Sequence, residues 1–156
     1  TKCDAVKLEG GKKIISIVKT LVKNKIPVMG HLGILPQTEK KFTFKGKKLI
    51  ERNRILKDAK LLEKAGIFSV VLECIETKLA KKITQQLNII TVGIGSSANC
   101  DGQVLVIDDL IGLSQSKFRF VKKYANINQI INSAAKKYKS EVLKKQFPKA
   151  KHSFKN

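Results

Sequence analysis

The chain has 156 residues, 42% of them hydrophobic, which suits one domain or a large part of one. Its formal charge of +20 would ordinarily direct it to nucleic acid or an anionic membrane. The basic residues, however, are 29 lysines against three arginines, and arginine is the usual reader of bases and phosphates. No run approaches the ~18 consecutive apolar residues of a membrane span, and no signal-peptide pattern opens the sequence.

Strand and helix patterns alternate from the start. "DAVKLEGG" reads as a short strand ending at Glu9, with Gly10 and Gly11 turning into a helix whose apolar face is Ile14, Ile15, Val18, Leu21 and Val22. Lys12, Lys13, Lys19 and Lys23 lie around that face, and Lys78, Lys81 and Lys82 accompany Leu79, Ala80, Ile83 and Leu87 in the same way. These are solvated helix faces. Basic residues interleaved with aromatics, as single-strand binding wants, are nearly absent.

"KIPVMGHLG" is the second strand, started by Pro27 and ending near His31. A lysine-rich loop from Gln37 to about Lys48 precedes a helix from about Glu51 to Ala65, stopped by Gly66. "FSVVLEC" is the third strand, with a helix from about Thr77 to Leu87; "IITVGIG" is the fourth, running into "SSANCDG". "QVLVIDD" is expected as the fifth, closing at Asp108 and Asp109. A long amphipathic helix then carries Ile127, Ile130, Ile131, Ala134, Ala135, Tyr138 and Val142 at helical spacing, before an irregular tail.

Repeated βα units with near-continuous apolar strands mean a parallel sheet covered on both faces. No GxGxxG follows the first strand, which weakens a dinucleotide-binding sheet. Polar residues sit instead where several strands end, at Glu9, His31, Glu73 and Asp108, and a barrel builds its site from such ends. A (β/α)₈ barrel is favoured over a doubly wound sheet.

Each strand-end residue has two readings. Lys7 and Glu9 are two apart and share a strand face, as a structural ion pair or as a carboxylate for a metal beside an ammonium for an anionic substrate. His31 alone is a packing residue or a ligand. Glu73, at the end of "VVLE", costs free energy to bury unless paired or shifted in pKa. Asp108 and Asp109 read best as caps of a short helix. Cys3, Cys74 and Cys100 form no CxxC pair and no even disulfide framework, so a reduced, cytoplasmic protein is expected. Position 1 is Thr and the only methionine is Met29, so the natural start is expected upstream.

"VKLEGG", "GHLGILPQ", "VLECI", "GIGSSANCDGQVLVIDDLIGL" and "FPKAKHSF" occur in that order, from near residue 3 to near residue 154. Together they resemble the ketopantoate hydroxymethyltransferase family. The resemblance implies an α/β fold, a (β/α)₈ barrel of the phosphoenolpyruvate-mutase type. Residues 1–156 would be one domain covering about its last five strands, with a C-terminal helix and tail and the N-terminal strands missing. It implies hydroxymethyl transfer from 5,10-methylenetetrahydrofolate to 3-methyl-2-oxobutanoate, giving 2-dehydropantoate through an enolate stabilised by Mg²⁺.

In that reading Glu73 is the base, Glu9 a metal-associated carboxylate, Lys7 the substrate-binding lysine and His31 a second substrate-side residue. A homo-oligomer is also implied, with no specific nucleic acid and no membrane. Two departures stand out. The family's "GGYKVQGR"-like loop is replaced by "FTFKGKKLIERNR", and the "GDS" and "DLPF" type motifs that supply two further metal-binding aspartates do not occur. The fragment alone is therefore expected to be inactive. The rival readings are a basic nucleic-acid-binding protein and another 2-oxo-acid enzyme on the same superfold.

Overall fold

Short β-branched runs become strands where both of their faces can be covered. Val6–Glu9 (β1), Val28–Gly33 (β2), Ser69–Glu73 (β3), Ile90–Ile94 (β4) and Gly102–Gln103 (β5) form one sheet, parallel throughout, in the order β1-β2-β3-β4-β5. Ile15–Lys23 (α1), Leu49–Lys64 (α2) and Thr77–Gln86 (α3) connect successive strands, and Lys12–Ile14 forms a 3₁₀ turn leading into α1. Sequential order with helical crossovers is how a (β/α)₈ barrel lays down its wall, so the α/β expectation holds. The structure is a computed structural model; it describes residues 2–39 and 43–154, and residues 40–42 of the lysine-rich loop lie outside them.

Alternation along the strands gives the sheet two chemically different faces. Val28, Leu32, Val70 and Leu72 point to the helices, where Val18 of α1, Ile55, Ala59 and Leu62 of α2, and Leu79, Ala80 and Ile83 of α3 complete a buried core. The alternate positions, Lys7, Glu9, Met29, His31, Val71, Glu73, Val92 and Ile94, belong to the opposite face.

The chain divides into two units, Thr1–Val104 and Leu105–Asn156. The second contains Ile107–Leu110 (α4) and Ile127–Leu143 (α5), the latter spanning the expected amphipathic stretch and capped by the Asn126 side chain, which accepts from the Gln129 amide at 3.2 Å. One expectation needs correcting. "QVLVIDD" is not a strand through Asp109: β5 stops at Gln103, and its last ladder bond is Val104 N–H to the Gly93 carbonyl, at the end of the first unit. Asp108 and Asp109 lie in the first turn of α4 rather than at its cap, which is Val106. Carboxylates there suit the positive end of the helix.

Candidate active site

Parallel register determines which strand-end side chains meet. Glu9 stands opposite His31 across β1 and β2, while Val71 stands opposite His31 on the other side. Glu73, two residues beyond Val71, lies diagonally across from the same imidazole. Glu9 Oε1 is 3.6 Å from His31 Nδ1, and Glu73 Oε2 is 3.1 Å from His31 Nε2. The side chains are 7%, 1% and 11% exposed for Glu9, His31 and Glu73, so this is a buried acid–imidazole–acid row and not a surface cluster.

Two carboxylates favour a protonated imidazole, and burial opposes it. Burial wins: desolvation, helped by the Lys7 ammonium, lowers His31 to about 4, against a small opposing contribution from the Ile34 backbone. At neutral pH the imidazole is uncharged. Burial also raises the Glu73 carboxyl above its ordinary range; Lys7 works against that rise and Glu9 adds to it. Neither imidazole nitrogen has a partner in hydrogen-bond geometry, despite the short approach to Glu73. Each ring nitrogen nonetheless faces a carboxylate, Nε2 the closer one.

Lys7 does not form the ion pair with Glu9 that the sequence left open. Among the described residues Glu9 contacts His31 and accepts the Gln37 amide on Oε2 at 3.1 Å, while Lys7 is exposed on the same strand face, its charge reaching both His31 and Glu73. Lys7, Glu9, His31 and Glu73 therefore share one face of the sheet, with Glu9, His31 and Glu73 toward the ends of their strands and Lys7 level with the start of β3. Asp108, the fourth polar residue expected at a strand end, lies in α4 of the second unit.

The backbone around Glu73 is held on every side. Cys74 takes a positive φ of 50°, a left-handed conformation costing a non-glycine residue about 1–2 kcal/mol. Its neighbours hold it there. The Ile34 amide donates to the Glu73 carbonyl (3.0 Å), the Cys74 amide to the Ile94 carbonyl (2.8 Å) and the Lys45 amide to the Cys74 carbonyl (2.8 Å). The Ser96 hydroxyl donates to the Leu72 carbonyl (2.6 Å) and accepts from the Ile75 amide (3.0 Å), bracketing the two residues between. Gly33 makes this approach possible: with φ +108°, an added Cβ would lie 1.9 Å from the Glu73 carbonyl oxygen. The Cys74 thiol, pushed up to about 11 by burial and then by Glu73, stays protonated and is not a nucleophile.

Ser96 escaped the sequence reading, since a serine after "GIG" is indistinguishable from any loop serine. Lys45 escaped it too. The divergent loop returns through a one-residue parallel bridge between Lys45 and Ile75, and nothing in its lysine-rich composition signals that.

A divalent cation fits this site in part. Glu9 Oε1 has no hydrogen-bond donor in contact, and a hard cation such as Mg²⁺ is commonly held by one or two carboxylates with water and substrate oxygens. No group of three or more His, Cys, Asp or Glu residues among the described ones could hold a metal, so these residues could supply at most part of a coordination sphere.

The family model for ketopantoate hydroxymethyltransferase matches residues 1–150. The chain is 63% identical over 154 residues to the 3-methyl-2-oxobutanoate hydroxymethyltransferase of Pelagibacter ubique (strain HTCC1062), covering 99% of this chain and 60% of that protein. It is 49% identical over 155 residues to the enzyme of the same name from Syntrophus aciditrophicus (strain SB), covering 96% and 57%. For that of Pyrobaculum neutrophilum the identity is 47% over 152 residues, covering 96% and 58%. The chain thus spans somewhat under two thirds of the length of these curated relatives. A match of that extent, over the same strand ends that carry the buried row, makes the chain a member of the ketopantoate hydroxymethyltransferase family.

Proposed function

We propose that the protein containing this chain transfers a hydroxymethyl group from 5,10-methylenetetrahydrofolate to 3-methyl-2-oxobutanoate, giving 2-dehydropantoate and tetrahydrofolate with uptake of one water. The observation that carries the reading is the buried row Glu9–His31–Glu73, in which two carboxylates flank a buried imidazole toward the strand ends. Family membership and the relatives' shared name support it.

Glu73 is the base. Its burial raises its proton affinity toward the working pH, the condition under which a carboxylate removes a carbon-bound proton best. It takes the proton from C3 of the keto acid, and the electron pair of that C–H bond forms the enolate that attacks the donor's one-carbon unit. Lys7, exposed beside the row, receives the substrate carboxylate. His31, between the two carboxylates, orients the substrate's oxygens. Glu9 would contribute an oxygen ligand to Mg²⁺, which when bound supplies Lewis-acid polarisation of the ketone. The reading also includes a homo-oligomer in the cytoplasm, with no nucleic acid or membrane as partner. Among the described residues no helix is long and apolar enough to cross a membrane.

The test is exchange of the C3 proton with deuterated solvent in the full-length protein, without the folate donor. That isolates proton removal from carbon–carbon bond formation. Glu73→Gln keeps shape and reach but loses the proton acceptor, so exchange should fall by about 10²-fold or more while keto-acid binding survives. Exchange at the wild-type rate in Glu73→Gln would remove Glu73 from the chemistry.

A further inference from the structure

Glu9 leaves β1 into Gly10 and Gly11, two residues with no side chain to pack, so the turn after this carboxylate has the most backbone freedom to lose. Two long-range contacts hold it. The Gly10 amide donates to the His31 carbonyl at 3.0 Å, extending the β1–β2 pairing one residue past the strand. The Lys12 amide donates to Asp58 Oδ1 at 3.1 Å, a bond between residues 46 apart in sequence. Asp58 belongs to the middle of α2, and its carboxylate sits over the turn itself: a Cβ built on Gly11 would lie 2.2 Å from Oδ2 and 2.3 Å from Cγ. Gly11 and Asp58 are complementary. The space left by the missing side chain is where the carboxylate enters.

We propose that Asp58 is a positioning residue for Glu9, locking the Gly10–Gly11 turn from α2 and so holding the Glu9 carboxylate against His31. Its functional consequence rests on the reading of Glu9 as a Mg²⁺ ligand given above. Asp58 bonds the backbone of the turn at Lys12 and acts on Glu9 through three residues of backbone. A plain helix cap would stabilise the start of the Lys12–Lys23 helical segment and do no more. The positioning role adds that the Glu9 carboxylate loses its place when Asp58 is removed from an otherwise folded protein.

Two measurements on the full-length protein separate these roles: calorimetric titration with Mg²⁺, and hydrogen exchange at the Gly10 amide. Asp58→Ala should weaken Mg²⁺ binding by about tenfold or more, the usual consequence of losing a group that orients a ligand, and should speed exchange at Gly10. Asp58→Asn keeps an acceptor oxygen for the Lys12 amide and should stay within about threefold of wild type. Gly11→Ala drives the carboxylate out by clash, so it should reproduce Asp58→Ala, and it serves where Asp58→Ala does not fold. The double variant should be no worse than either single one, since both break the same contact.

If Asp58→Ala or Gly11→Ala folds, binds Mg²⁺ like wild type and leaves Gly10 equally protected, Asp58 is a helix cap and the inference is overturned. Glu9→Gln is the reference. Should it leave Mg²⁺ binding unchanged, the metal role of Glu9 fails instead, and Gly10 exchange alone decides for or against Asp58.

Discussion

At the scale of single residues, the decisive fact is that burial pushes both His31 and Glu73 toward their uncharged forms. His31 is depressed to about 4 and Glu73 is raised, both chiefly by burial. The two act on stability in opposite directions. A histidine that binds its proton less readily when folded contributes stability present above its unfolded value near 6.5. That contribution is lost as pH falls toward about 4 and amounts to on the order of 3 kcal/mol in all. A carboxylate raised on folding does the reverse, costing stability as pH rises through and beyond the ordinary carboxylate range. The wild-type curve is their difference. Urea unfolding from pH 7 to pH 4 should therefore show a shallower acid loss in His31→Asn than in wild type, and a steeper one in Glu73→Gln. Identical slopes in wild type and His31→Asn would mean that another group titrates there.

At the scale of elements, the turn leaving β3 matters most, because three residues after Glu73 the chain must already be starting α3. Glu76 is the cap. Its side chain accepts the Lys78 and Leu79 amides, each at 3.0 Å, and meets Arg52 Nη1 of α2 at 3.0 Å, while its own amide donates to the Lys45 carbonyl. The bond from the Lys78 amide is the main reason its carboxyl lies below the usual range, with Leu79, Arg52 and Lys78 charge adding to it. Glu76→Ala should destabilise the protein by about 1 kcal/mol at neutral pH, the usual value of a helix cap. Because the native carboxyl is depressed, that contribution exists above the ordinary carboxylate pKa and fades as pH falls through the lowered one. The difference between Glu76→Ala and wild type in urea unfolding should shrink on acidification; a constant difference would assign the effect to packing.

A second element-scale link lies at the opposite end of β4. Asp101 accepts both the amide and the hydroxyl of Thr91, at 2.8 and 2.9 Å, and Thr84 of α3 closes the network at 2.9 Å from the same hydroxyl. Thr91 is fully buried, so its hydroxyl needs these partners. The network returns the loop "SSANCDG" to the start of β4 and lays β5 alongside it.

At the scale of the whole molecule, no group of three or more His, Cys, Asp or Glu among the described residues could hold a metal, whereas the proposed reaction calls for a coordinated one. Residues 1–156 by themselves should bind Mg²⁺ far more weakly than micromolar in calorimetry and should not turn over keto acid, since near-octahedral oxygen coordination is what Mg²⁺ requires. Micromolar binding by these residues alone would mean that the metal site lies elsewhere in the chain.

The sequence by itself determined the order and kind of the elements through β4 and three of the four strand-end residues it pointed to, Glu9, His31 and Glu73. Both are written locally. The apolar runs of β2 to β4, the helical spacing of α1, α3 and α5, and the punctuation at Gly10, Gly11 and Gly66 each lie within a window of a few residues, and a parallel sheet follows from their alternation. Glu9, His31 and Glu73 were legible because a polar group toward the end of an apolar strand is itself a local anomaly, and Lys7 because it stands two residues before Glu9 on the same face. Only the tertiary structure decided that Glu9 turns to His31 and not to Lys7, that burial outweighs two carboxylates at the imidazole, and that Asp58, Ser96 and Lys45 brace the two carboxylate-bearing turns. It also shortened β5 against a valine-rich run that read as strand throughout. Each of these depends on partners 20 or more residues away, or on whether a neighbouring strand continues. An aspartate among lysines on α2 looks the same in sequence whether it faces water or fills the space beside a glycine.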